Sequence, residues 1–443
     1  MGIFFGTDGI RGKVNSELTF DLAYKCGNAL GASAPKPTII IGQDTRLSGS
    51  FLSLAFAGGA MNAGANVIDI GICPTAGIAY LTNKLGADFG VVVSASHNPA
   101  EYNGIKIFDH NGFKLGDERE NALERKFVQS VTVPANLIGN YKHCPNLVKK
   151  YKDHLISCCI GLKDKKVVID ASNGASYKIA PEVFKSLGAF VIKTSCKNDG
   201  ANINNNCGSL YPETLAKKVV ETKADFGFAF DGDSDRIIAC DEKGNILDGD
   251  ILIFALAKYL KSKNRLAKDT VVGTRHTNVA IEKELKNLGI KLERTDIGDK
   301  YVLEKIEQDS LSLGGEKSGH IILRDFATTG DGILSALKLA EMSVNLNKPL
   351  SYLTKISLCP QCNIDCIVSD KMRVINSEKL TEAINEEEKL LPGDSRIMVR
   401  VSGTESKIRI MVESTNEQSA KESAKRLADI VYNIDYKEEP CAE

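Results

Sequence analysis

The sequence predicts an α/β protein with three similar mixed α/β domains and a C-terminal α+β domain. The first observation is a pattern of apolar strand, polar loop, helix and second strand that recurs in residues 37–71, 166–195 and 270–298. The second is a change toward the C-terminus, where the strands RIMVRV and KIRIMVES are joined by a short loop. Alternating strands and helices favour parallel pairing with helices on both faces of a sheet, whereas a short connection favours antiparallel pairing.

The length of 443 residues exceeds what one hydrophobic core normally serves, so several domains are expected. Each predicted domain contributes one polar loop of interest, because ligands gather at the carboxyl ends of parallel strands. We predict an α/β domain with a serine loop, an α/β domain with an acidic loop, an α/β domain with a sugar-recognition loop and an α+β phosphate-binding domain, at residues 1–150, 151–250, 251–362 and 363–443.

Composition excludes several classes of partner. The net charge of −1 gives no general attraction to nucleic acid or to anionic membranes, and no apolar run is long enough for a membrane span. The N-terminal residues lack the pattern of a signal peptide, so a cytoplasmic enzyme is expected. The 12 cysteines are then expected to be reduced thiols. A zinc site at Cys359, Cys362 and Cys366 is disfavoured, because no second pair or nearby histidine follows.

Residues 91–106 read VVVSASHNPAEYNGIK, so an apolar strand runs directly into Ser94 and Ser96. A serine at the end of a rigid strand has the fixed direction and the access that a nucleophile requires. His97 is adjacent, but neighbours along an extended chain point in opposite directions, so a simple Ser–His pair is not expected. Lys106 follows a turn and can return to the serine as a cation. The alternative is a capped polar turn, because Ser and Asn are common there.

An apolar strand also leads into Asp231, Asp233 and Asp235, in the run ADFGFAFDGDSDR. Three carboxylates this close repel one another unless a cation neutralises them, and oxygen ligands select Mg²⁺ or Ca²⁺. An EF-hand loop is excluded, because Arg236 occupies the glycine position and strands flank the loop. A divalent cation beside an arginine suits phosphoryl transfer, since both offset charge on the moving group. A solvated acidic turn is the alternative.

The loop RVSGTESKIR joins the two C-terminal strands and carries Arg400 and Arg409 on either side of Ser-Gly-Thr. Glycine allows close backbone approach to an anion, while hydroxyl groups, amides and guanidinium groups donate hydrogen bonds to it. This combination favours phosphate binding over a plain hairpin with solvated arginines.

Two further glycine-containing loops carry polar side chains. In GGEKSGH, Glu316 and Ser318 can accept from and donate to sugar hydroxyl groups, and His320 can exchange protons near neutral pH. In GTDGIRG, two glycines place Arg11 on a tight loop, where it suits a phosphate. A structural loop and an exposed turn are the respective alternatives.

Taken in order, FGTDGIRG, SASHNP with NGIK, DGDSDR, GEKSGH and RVSGTESKIR resemble the α-D-phosphohexomutases over nearly the whole chain. The resemblance implies four domains around a central cleft, each contributing one loop. It implies that Ser96 carries the phosphoryl group as phosphoserine and that Mg²⁺, one per chain, is bound by Asp231, Asp233, Asp235 and an oxygen of that phosphoserine.

The resemblance also implies roles for the remaining loops. Glu316 and Ser318 would bind the sugar hydroxyl groups. The candidates for acid–base catalysis or charge stabilisation are Arg11, Lys106, Arg236 and His320. The group that would hold the phosphate not being transferred consists of Arg400, Ser402, Gly403, Thr404 and Arg409.

The chain departs from the usual family pattern at several positions. Val401 and Ser406 stand where proline is usual, and Lys317 replaces a common glutamine in the sugar-recognition loop. Arg275 and His276 replace smaller or apolar residues. None of these departures removes a predicted ligand.

The implied activity is interconversion of glucosamine 6-phosphate and glucosamine 1-phosphate, which supplies amino sugar for UDP-N-acetylglucosamine and cell-wall synthesis. A sugar 1,6-bisphosphate would serve as activator and intermediate, and the chain would be a monomer or a homodimer. The alternatives are a phosphomannomutase or phosphoglucomutase of the same superfamily, a magnesium-dependent sugar phosphatase, and an inactive protein that binds sugar phosphates.

Overall fold

The computed structural model describes residues 4–6, 8–402 and 405–436. The chain forms two compact units, the first comprising Met1–His276 and Ile290–Lys355 and the second comprising Thr277–Gly289 and Ile356–Glu443. Within the described residues, the helices are all too short or too polar to cross a bilayer.

The first sheet of the first unit is mixed, with the strand order β1-β2-β6-β5-β3-β4-β7. The central strands β3, β4 and β5 pair in parallel, and β6 returns antiparallel to β5. The strands are β1 (Phe5–Gly6), β2 (Gly9–Lys13), β3 (Thr38–Gln43), β4 (Asn66–Ile72), β5 (Phe89–Val93), β6 (Tyr102–Asp109) and β7 (Tyr141–His143). The accompanying helices are α1 (Phe20–Gly31), α2 (Ser48–Asn62), α3 (Thr75–Lys84) and α4 (Asp117–Glu124).

The second sheet has the order β12-β11-β10-β8-β9. Strand β8 pairs in parallel with β9 and β10, and β11 returns antiparallel to β10. The strands are β8 (Lys166–Asp170), β9 (Phe190–Thr194), β10 (Phe226–Phe230), β11 (Ile237–Asp241) and β12 (Ile246–Leu247). The helices of this segment are α5 (Val148–Ser157), α6 (Ile179–Ser186) and α7 (Glu213–Thr222).

The third sheet has the order β14-β13-β15-β16, with β13 parallel to β14 and β15 and with β16 antiparallel to β15. The strands are β13 (Thr270–Thr274), β14 (Lys291–Thr295), β15 (Leu313–Gly315) and β16 (Ile321–Leu323). The helices along this part of the chain are α8 (Gly249–Ser262), α9 (Val279–Asn287), α10 (Asp299–Asp309), α11 (Gly332–Leu346) and α12 (Leu350–Leu353). Helix α9 belongs to the second unit.

The second unit contains an antiparallel sheet of order β17-β19-β18. Its apolar side chains form one core, in which Leu380, Ile410 and Leu427 are buried. The strands are β17 (Gln361–Ile367), β18 (Arg396–Val401) and β19 (Lys407–Glu413), and the further helices are α13 (Lys371–Ile375), α14 (Glu378–Leu390) and α15 (Glu417–Tyr436).

The predicted fold class is confirmed. Each of the three recurring segments gives a parallel strand pair, namely β3 with β4, β8 with β9 and β13 with β14. The short connection near the C-terminus joins antiparallel strands, as predicted. The domain boundaries near residues 150, 250 and 362 stay predictions.

Candidate active site

Ser96 lies just beyond the buried strand β5, in a turn that hydrogen bonds hold in place. The hydroxyl group of Ser94 accepts from the backbone N–H of Ser96 at 2.9 Å and donates to Asp44 Oδ2 at 2.5 Å. The side chain of Ser96 is buried, and its backbone φ is +52°. A non-glycine residue in this left-handed region costs conformational energy, so the surrounding contacts must favour it. The serine is therefore fixed by its neighbours.

The expectation that Ser96 and His97 point in opposite directions is wrong. The turn at Ser96 ends the extended conformation on which that expectation rested, and Ser96 Oγ lies 3.4 Å from His97 Nδ1. Burial, together with the guanidinium groups of Arg236 and Arg11, lowers the pKa of His97 to about 4. The imidazole next to the serine is therefore neutral at physiological pH.

Two side chains from separate parts of the sequence hold the carbonyl groups of the serine turn. Arg46 is buried, and its guanidinium group donates to the carbonyl oxygens of Ser96 and Asn98 at 3.0 and 2.8 Å and to those of Pro99 and Tyr102. The amide of Asn204 donates to the same carbonyls of Ser96 and Asn98 at 2.8 and 3.0 Å. The turn is thus tied to both the first and the second sheet segments.

The predicted acidic loop lies between β10 and β11. Asp231, Asp233 and Asp235 are buried, and one oxygen from each lies within 4.8 Å of the others. Ser96 Oγ donates to Asp231 Oδ2 at 2.5 Å, although 135 residues separate them. The strands on either side confirm that the loop is not an EF-hand. Among the described residues, this is the one group of three or more carboxylate, imidazole or thiol ligands close enough to share a metal ion.

The charges of the acidic loop are only partly offset by the chain. Burial and the carboxylates of Asp235 and Asp233 raise the pKa of Asp231 well above its ordinary value. Burial also opposes ionisation of Asp235, but Lys106, His320 and Arg236 outweigh it and hold its pKa well below the usual range. None of the described residues donates a hydrogen bond to the buried Oδ1 atoms of Asp233 and Asp235. Buried carboxylate oxygens without donors fit a divalent cation, so the triad can hold a metal.

Lys106 lies in β6 with its ammonium group among carboxylates. Its Nζ is 2.9 Å from Asp233, 3.2 Å from Asp235 and 3.2 Å from Asp8. Burial would lower the pKa of Lys106, but the three carboxylates raise it well above the ordinary value. Lys106 is therefore a fixed cation of the site.

The two arginines predicted to lie near the reacting groups, Arg11 and Arg236, lie beside the serine turn and the acidic loop. Arg11 lies within β2, paired with β6, and not on a tight loop as predicted, because Gly9–Lys13 form a continuous strand. Its guanidinium group donates to Asn98 Oδ1 at 3.1 Å and to Asp8. The backbone N–H of Arg236 donates to Asp231 Oδ1 at 3.1 Å, and its side chain lies 3.9 Å from Asp235.

A cavity of about 290 Å³ opens beside these groups and includes the predicted sugar-recognition loop. Glu316 Oε1 accepts from the backbone N–H of Gly298 at 3.0 Å, and Ser318 is exposed. The residues lining the cavity are Asp8, Asp235, Arg236, Thr274, His276, Ile297, Gly298, Asp299, Glu316, Lys317, Ser318 and His320. The departures His276 and Lys317 therefore lie on the wall of this cavity.

His320 is buried at the back of the same cavity. Its Nε2 accepts from the backbone N–H of Gly330 at 3.1 Å and lies 3.6 Å from Asp299, while its Nδ1 lies 3.8 Å from Asp235. Burial disfavours the charged ring, but the carboxylates of Asp235 and Asp299 outweigh it and raise the pKa of His320. The ring is therefore held by the N–H of Gly330 and lies beside two carboxylates.

The predicted phosphate loop belongs to the second unit. Arg400 on β18 pairs directly with Arg409 on β19, and Ser402 is buried, with its hydroxyl group accepting from the backbone N–H of Glu405 at 3.3 Å. Burial and the charge of Arg409 lower the pKa of Arg400. The strand register places the two arginines opposite each other, which suits an anion, and Arg409 also contacts Glu405 at 3.2 Å. Gly403 and Thr404 lie outside the described residues.

Several residues of the site were not predicted. Asp8 stands in a quoted motif, GTDGIRG, but only Arg11 was selected from it. Arg46, Lys114, Asn204 and Asp299 carry no local signal beyond their polarity, since their partners are distant in the sequence. Thr75 is a further case, because its hydroxyl group donates to Asp233 Oδ2 at 2.7 Å.

The sheets and the loops at their ends match a class of enzymes that act on phosphosugars, as comparison with known proteins shows. The phosphoglucomutase/phosphomannomutase family matches through four successive models, for alpha/beta/alpha domains I, II and III and the C-terminal domain, at residues 2–132, 149–244, 248–358 and 364–430. The chain belongs to the phosphoglucomutase/phosphomannomutase family.

Curated relatives agree with this assignment, and solved structures share the fold. The phosphoglucosamine mutases of Clostridioides difficile and Thermoanaerobacter pseudethanolicus are each 44% identical to this chain over 97% of its length, covering 98% and 99% of the respective relatives. A phosphoglucomutase/phosphomannomutase family protein from Burkholderia thailandensis has the same fold, with a TM-score of 0.82 at 23% identity and 98% coverage of both chains. N-acetylphosphoglucosamine mutase from Aspergillus fumigatus superposes with a TM-score of 0.69 at 17% identity, covering 98% of this chain and 96% of that protein.

Proposed function

We propose that this protein interconverts glucosamine 6-phosphate and glucosamine 1-phosphate, the activity for which its relatives with 42–44% identity are named. The observation that carries the proposal is the contact of 2.5 Å between Ser96 Oγ and Asp231 Oδ2. It brings a rigidly held hydroxyl group to a buried triad of carboxylates that suits a divalent cation. The product supplies amino sugar for UDP-N-acetylglucosamine and cell-wall synthesis.

Ser96 is the proposed carrier of the phosphoryl group. In the first transfer, the bond from phosphorus to Ser96 Oγ breaks and a bond to the free hydroxyl oxygen of the sugar monophosphate forms; that hydroxyl group loses its proton, and Ser96 Oγ gains one to end as a hydroxyl group. The second transfer returns the other phosphate of the bisphosphorylated sugar to Ser96. A sugar 1,6-bisphosphate is thus both the intermediate and the compound that first loads the serine.

The residues around Ser96 align the groups and offset their charge. Lys106 contacts Asp233 and Asp235, so its ammonium group is placed to stabilise negative charge on the transferring group. Arg11 and Arg236 add two more cations near the same point. His320 Nδ1 lies 3.8 Å from Asp235 and its ring borders the cavity, so His320 is the candidate for acid–base catalysis or charge stabilisation on this side.

Asp231, Asp233 and Asp235 would hold Mg²⁺, with an oxygen of phospho-Ser96 as a further ligand. The cation would offset the charge that develops on the phosphoryl group during transfer. The chain's own part is to supply three buried carboxylates at the correct spacing and to keep water away from the phosphoserine, which would otherwise hydrolyse.

The sugar and its second phosphate are assigned to the remaining loops. Glu316 and Ser318 would bind sugar hydroxyl groups, because one offers a carboxylate and the other an exposed hydroxyl group on the cavity wall. In the second unit, the proposed phosphate ligands are Arg400, Ser402, Gly403, Thr404 and Arg409.

A comparison of three substrates tests the proposal. The purified protein is incubated with Mg²⁺, a trace of glucose 1,6-bisphosphate and the 6-phosphate of glucosamine, glucose or mannose, and formation of the 1-phosphate and of free phosphate is followed. We expect the highest kcat/KM with glucosamine 6-phosphate and no free phosphate in step with turnover. Ser96→Ala is the matched control and should have no measurable turnover.

The other outcomes separate the alternatives. A higher kcat/KM with glucose or mannose 6-phosphate would assign the chain to the other activities of its family. Free phosphate released in proportion to substrate loss would indicate a phosphatase. Turnover by Ser96→Ala near that of the wild type would disprove the role of the serine.

A further inference from the structure

Lys114 contacts two carboxylates, one from a residue far before it in the sequence and one from a residue far after it. It follows β6, and its side chain is 13% exposed. Its ammonium group donates to Asp8 Oδ1 at 2.5 Å and also to Asp299 Oδ2. Asp8 lies between β1 and β2, and Asp299 begins α10. One lysine thus connects the first sheet segment to the third.

Each of these carboxylates holds other groups of the site. Asp8 Oδ2 contacts Lys106 at 3.2 Å and also contacts Arg11. Asp299 lies 3.6 Å from His320, and the preceding residue, Gly298, donates its N–H to Glu316. Displacement of Asp8 would therefore move the side chains of Lys106 and Arg11. Displacement of Asp299 would move the sugar-recognition loop.

Lys114 itself does not line the cavity proposed for the sugar. Asp8 and Asp299 do, whereas Lys114 lies on the wall of a neighbouring, more apolar cavity of about 350 Å³. A role in direct substrate binding is therefore not supported by its position. Its contribution is through the two carboxylates that it contacts.

The negative charges of Asp8 and Asp299 explain why a cation is needed between these two carboxylates. Burial opposes the ionisation of both carboxyl groups, and a neighbouring carboxylate raises the pKa of each further, namely Asp235 at Asp8 and Asp8 at Asp299. Lys106 and Lys114 outweigh burial at Asp8, and Lys114 does so at Asp299, so that the pKa of each carboxyl group lies below its ordinary value. Without Lys114, two buried negative charges would face each other with one cation fewer, which is costly unless they move apart.

We propose that Lys114 is a positioning residue of the phosphoryl-transfer site. It fixes Asp8 and Asp299, and through them it aligns Lys106 and Arg11 with the phosphoryl group and keeps Glu316 in place for the sugar. This inference rests on the proposed function. A displacement of about 1 Å among aligned groups lowers a transfer rate by roughly 100-fold, which sets the expected size of the effect.

The test uses the full-length protein loaded as phosphoserine, with loading quantified by intact mass. Lys114→Met removes the charge and keeps the stem, Lys114→Arg keeps the charge, and Lys114→Met/Asp299→Asn also removes one of the two carboxylates that lose their contact with Lys114. Lys258→Met, an exposed lysine of α8, is the matched control. The measurements are kcat, KM for glucosamine 6-phosphate and the melting temperature.

We expect Lys114→Met to lower kcat by about 100-fold with KM within about threefold of the wild type. Lys114→Arg should restore most of kcat, and the double variant should be more active than Lys114→Met. Lys258→Met should match the wild type. A structural role alone would lower the melting temperature of Lys114→Met but leave kcat, expressed per folded and phosphoserine-loaded protein, near that of the wild type.

Three results would overturn the inference. The first is a kcat for Lys114→Met close to that of the wild type. The second is a raised KM with unchanged kcat, which would indicate substrate binding. The third is a loss of kcat that follows the melting temperature and that neither Lys114→Arg nor the double variant reverses. A wild-type protein without turnover on any of the three sugar phosphates overturns the proposed function and this inference together, and is recognised from the wild type alone.

Discussion

The buried guanidinium group of Arg46 donates to the carbonyl oxygen of Ser96 at 3.0 Å, across 50 residues of sequence. The same oxygen accepts from Asn204 at 2.8 Å. A carbonyl group that accepts from two buried donors has little freedom to rotate, so its peptide remains in the left-handed conformation that directs Ser96 Oγ to Asp231. The orientation of Ser96 therefore depends on Arg46 and Asn204, which do not line the cavity of the site.

Asn204→Ala tests this dependence. The variant loses the donors to Ser96 and Asn98, and we expect about 1–3 kcal/mol lower stability, because buried carbonyl groups lose a partner. We also expect kcat to fall by about 10-fold, since the alignment of Ser96 is relaxed. Asn205→Ala, at the exposed neighbouring position, is the control and should leave both quantities unchanged. Equal kcat for the two variants would show that Arg46 is sufficient.

Asp231→Asn should have opposite effects with and without Mg²⁺. In the metal-free protein, burial and the carboxylates of Asp235 and Asp233 raise the pKa of Asp231, so an ionisable group at this position costs stability. Removing that group should therefore raise the melting temperature in EDTA. Added Mg²⁺ should raise the melting temperature of the wild type, because it binds the folded state, and should do so much less in the variant. Equal Mg²⁺-induced shifts in both proteins would argue against a metal at the triad.

Asp331 gives a prediction about the pH dependence of stability. Its carboxylate caps α11 by accepting from the N–H of Leu334 at 2.9 Å, and it accepts from the hydroxyl group of Tyr151 at 2.7 Å. Burial raises the pKa of Asp331 from 3.8 to about 6. Between these pH values the folded state binds more protons than the unfolded state, so this group makes the free energy of unfolding fall as pH rises.

Asp331→Asn removes that dependence and keeps an acceptor for Leu334. Relative to the wild type, the variant should therefore gain stability from pH 4 to pH 7, by up to about 3 kcal/mol. Urea denaturation at the two pH values measures the difference. An identical difference at both values would show that Asp331 is not perturbed in the folded protein.

Gly319→Ala should disrupt the sugar-recognition loop. Gly319 has φ of +92°, and an added Cβ would lie 1.9 Å from the carbonyl oxygen of Ile237. The clash is with backbone, so the loop must move, and we expect destabilisation of at least about 3 kcal/mol together with loss of mutase activity. The control is Gly58→Ala in α2, where no atom other than its chain neighbours and the nearby backbone of the same helix lies within 4 Å of the added Cβ. That variant should be neutral or more stable by up to about 1 kcal/mol.

The fold and the reactive centre could be predicted because their signals are local. The recurring pattern of strand and helix can be recognised from consecutive residues. Ser96 and the acidic triad each follow an apolar strand directly. The order of strands places both at carboxyl ends, where ligands gather. These features needed no knowledge of distant contacts.

The residues that support the centre could not be predicted in the same way. Arg46, Lys114 and Asn204 are ordinary polar residues in the sequence, and their partners are known only once the chain has folded. The relation of Ser96 to His97 was predicted wrongly because a left-handed residue in mid-turn has no reliable sequence signal when it is not glycine. Arg11 was placed on a loop because its flanking glycines suggested one, but pairing with β6 kept the segment extended.

The shared carbonyl group of Ser96 limits how far the chain can be divided. Arg46 is contributed by the first α/β segment and Asn204 by the second, more than a hundred residues later. A fragment that ends before residue 200 would retain the serine, its strand and Arg46, yet one of the two donors would be missing and the partner Asp231 would be absent. Moving the serine motif alone to another scaffold would therefore lose the contacts that orient Ser96. The first and second α/β segments have to be inherited together for this arrangement to persist.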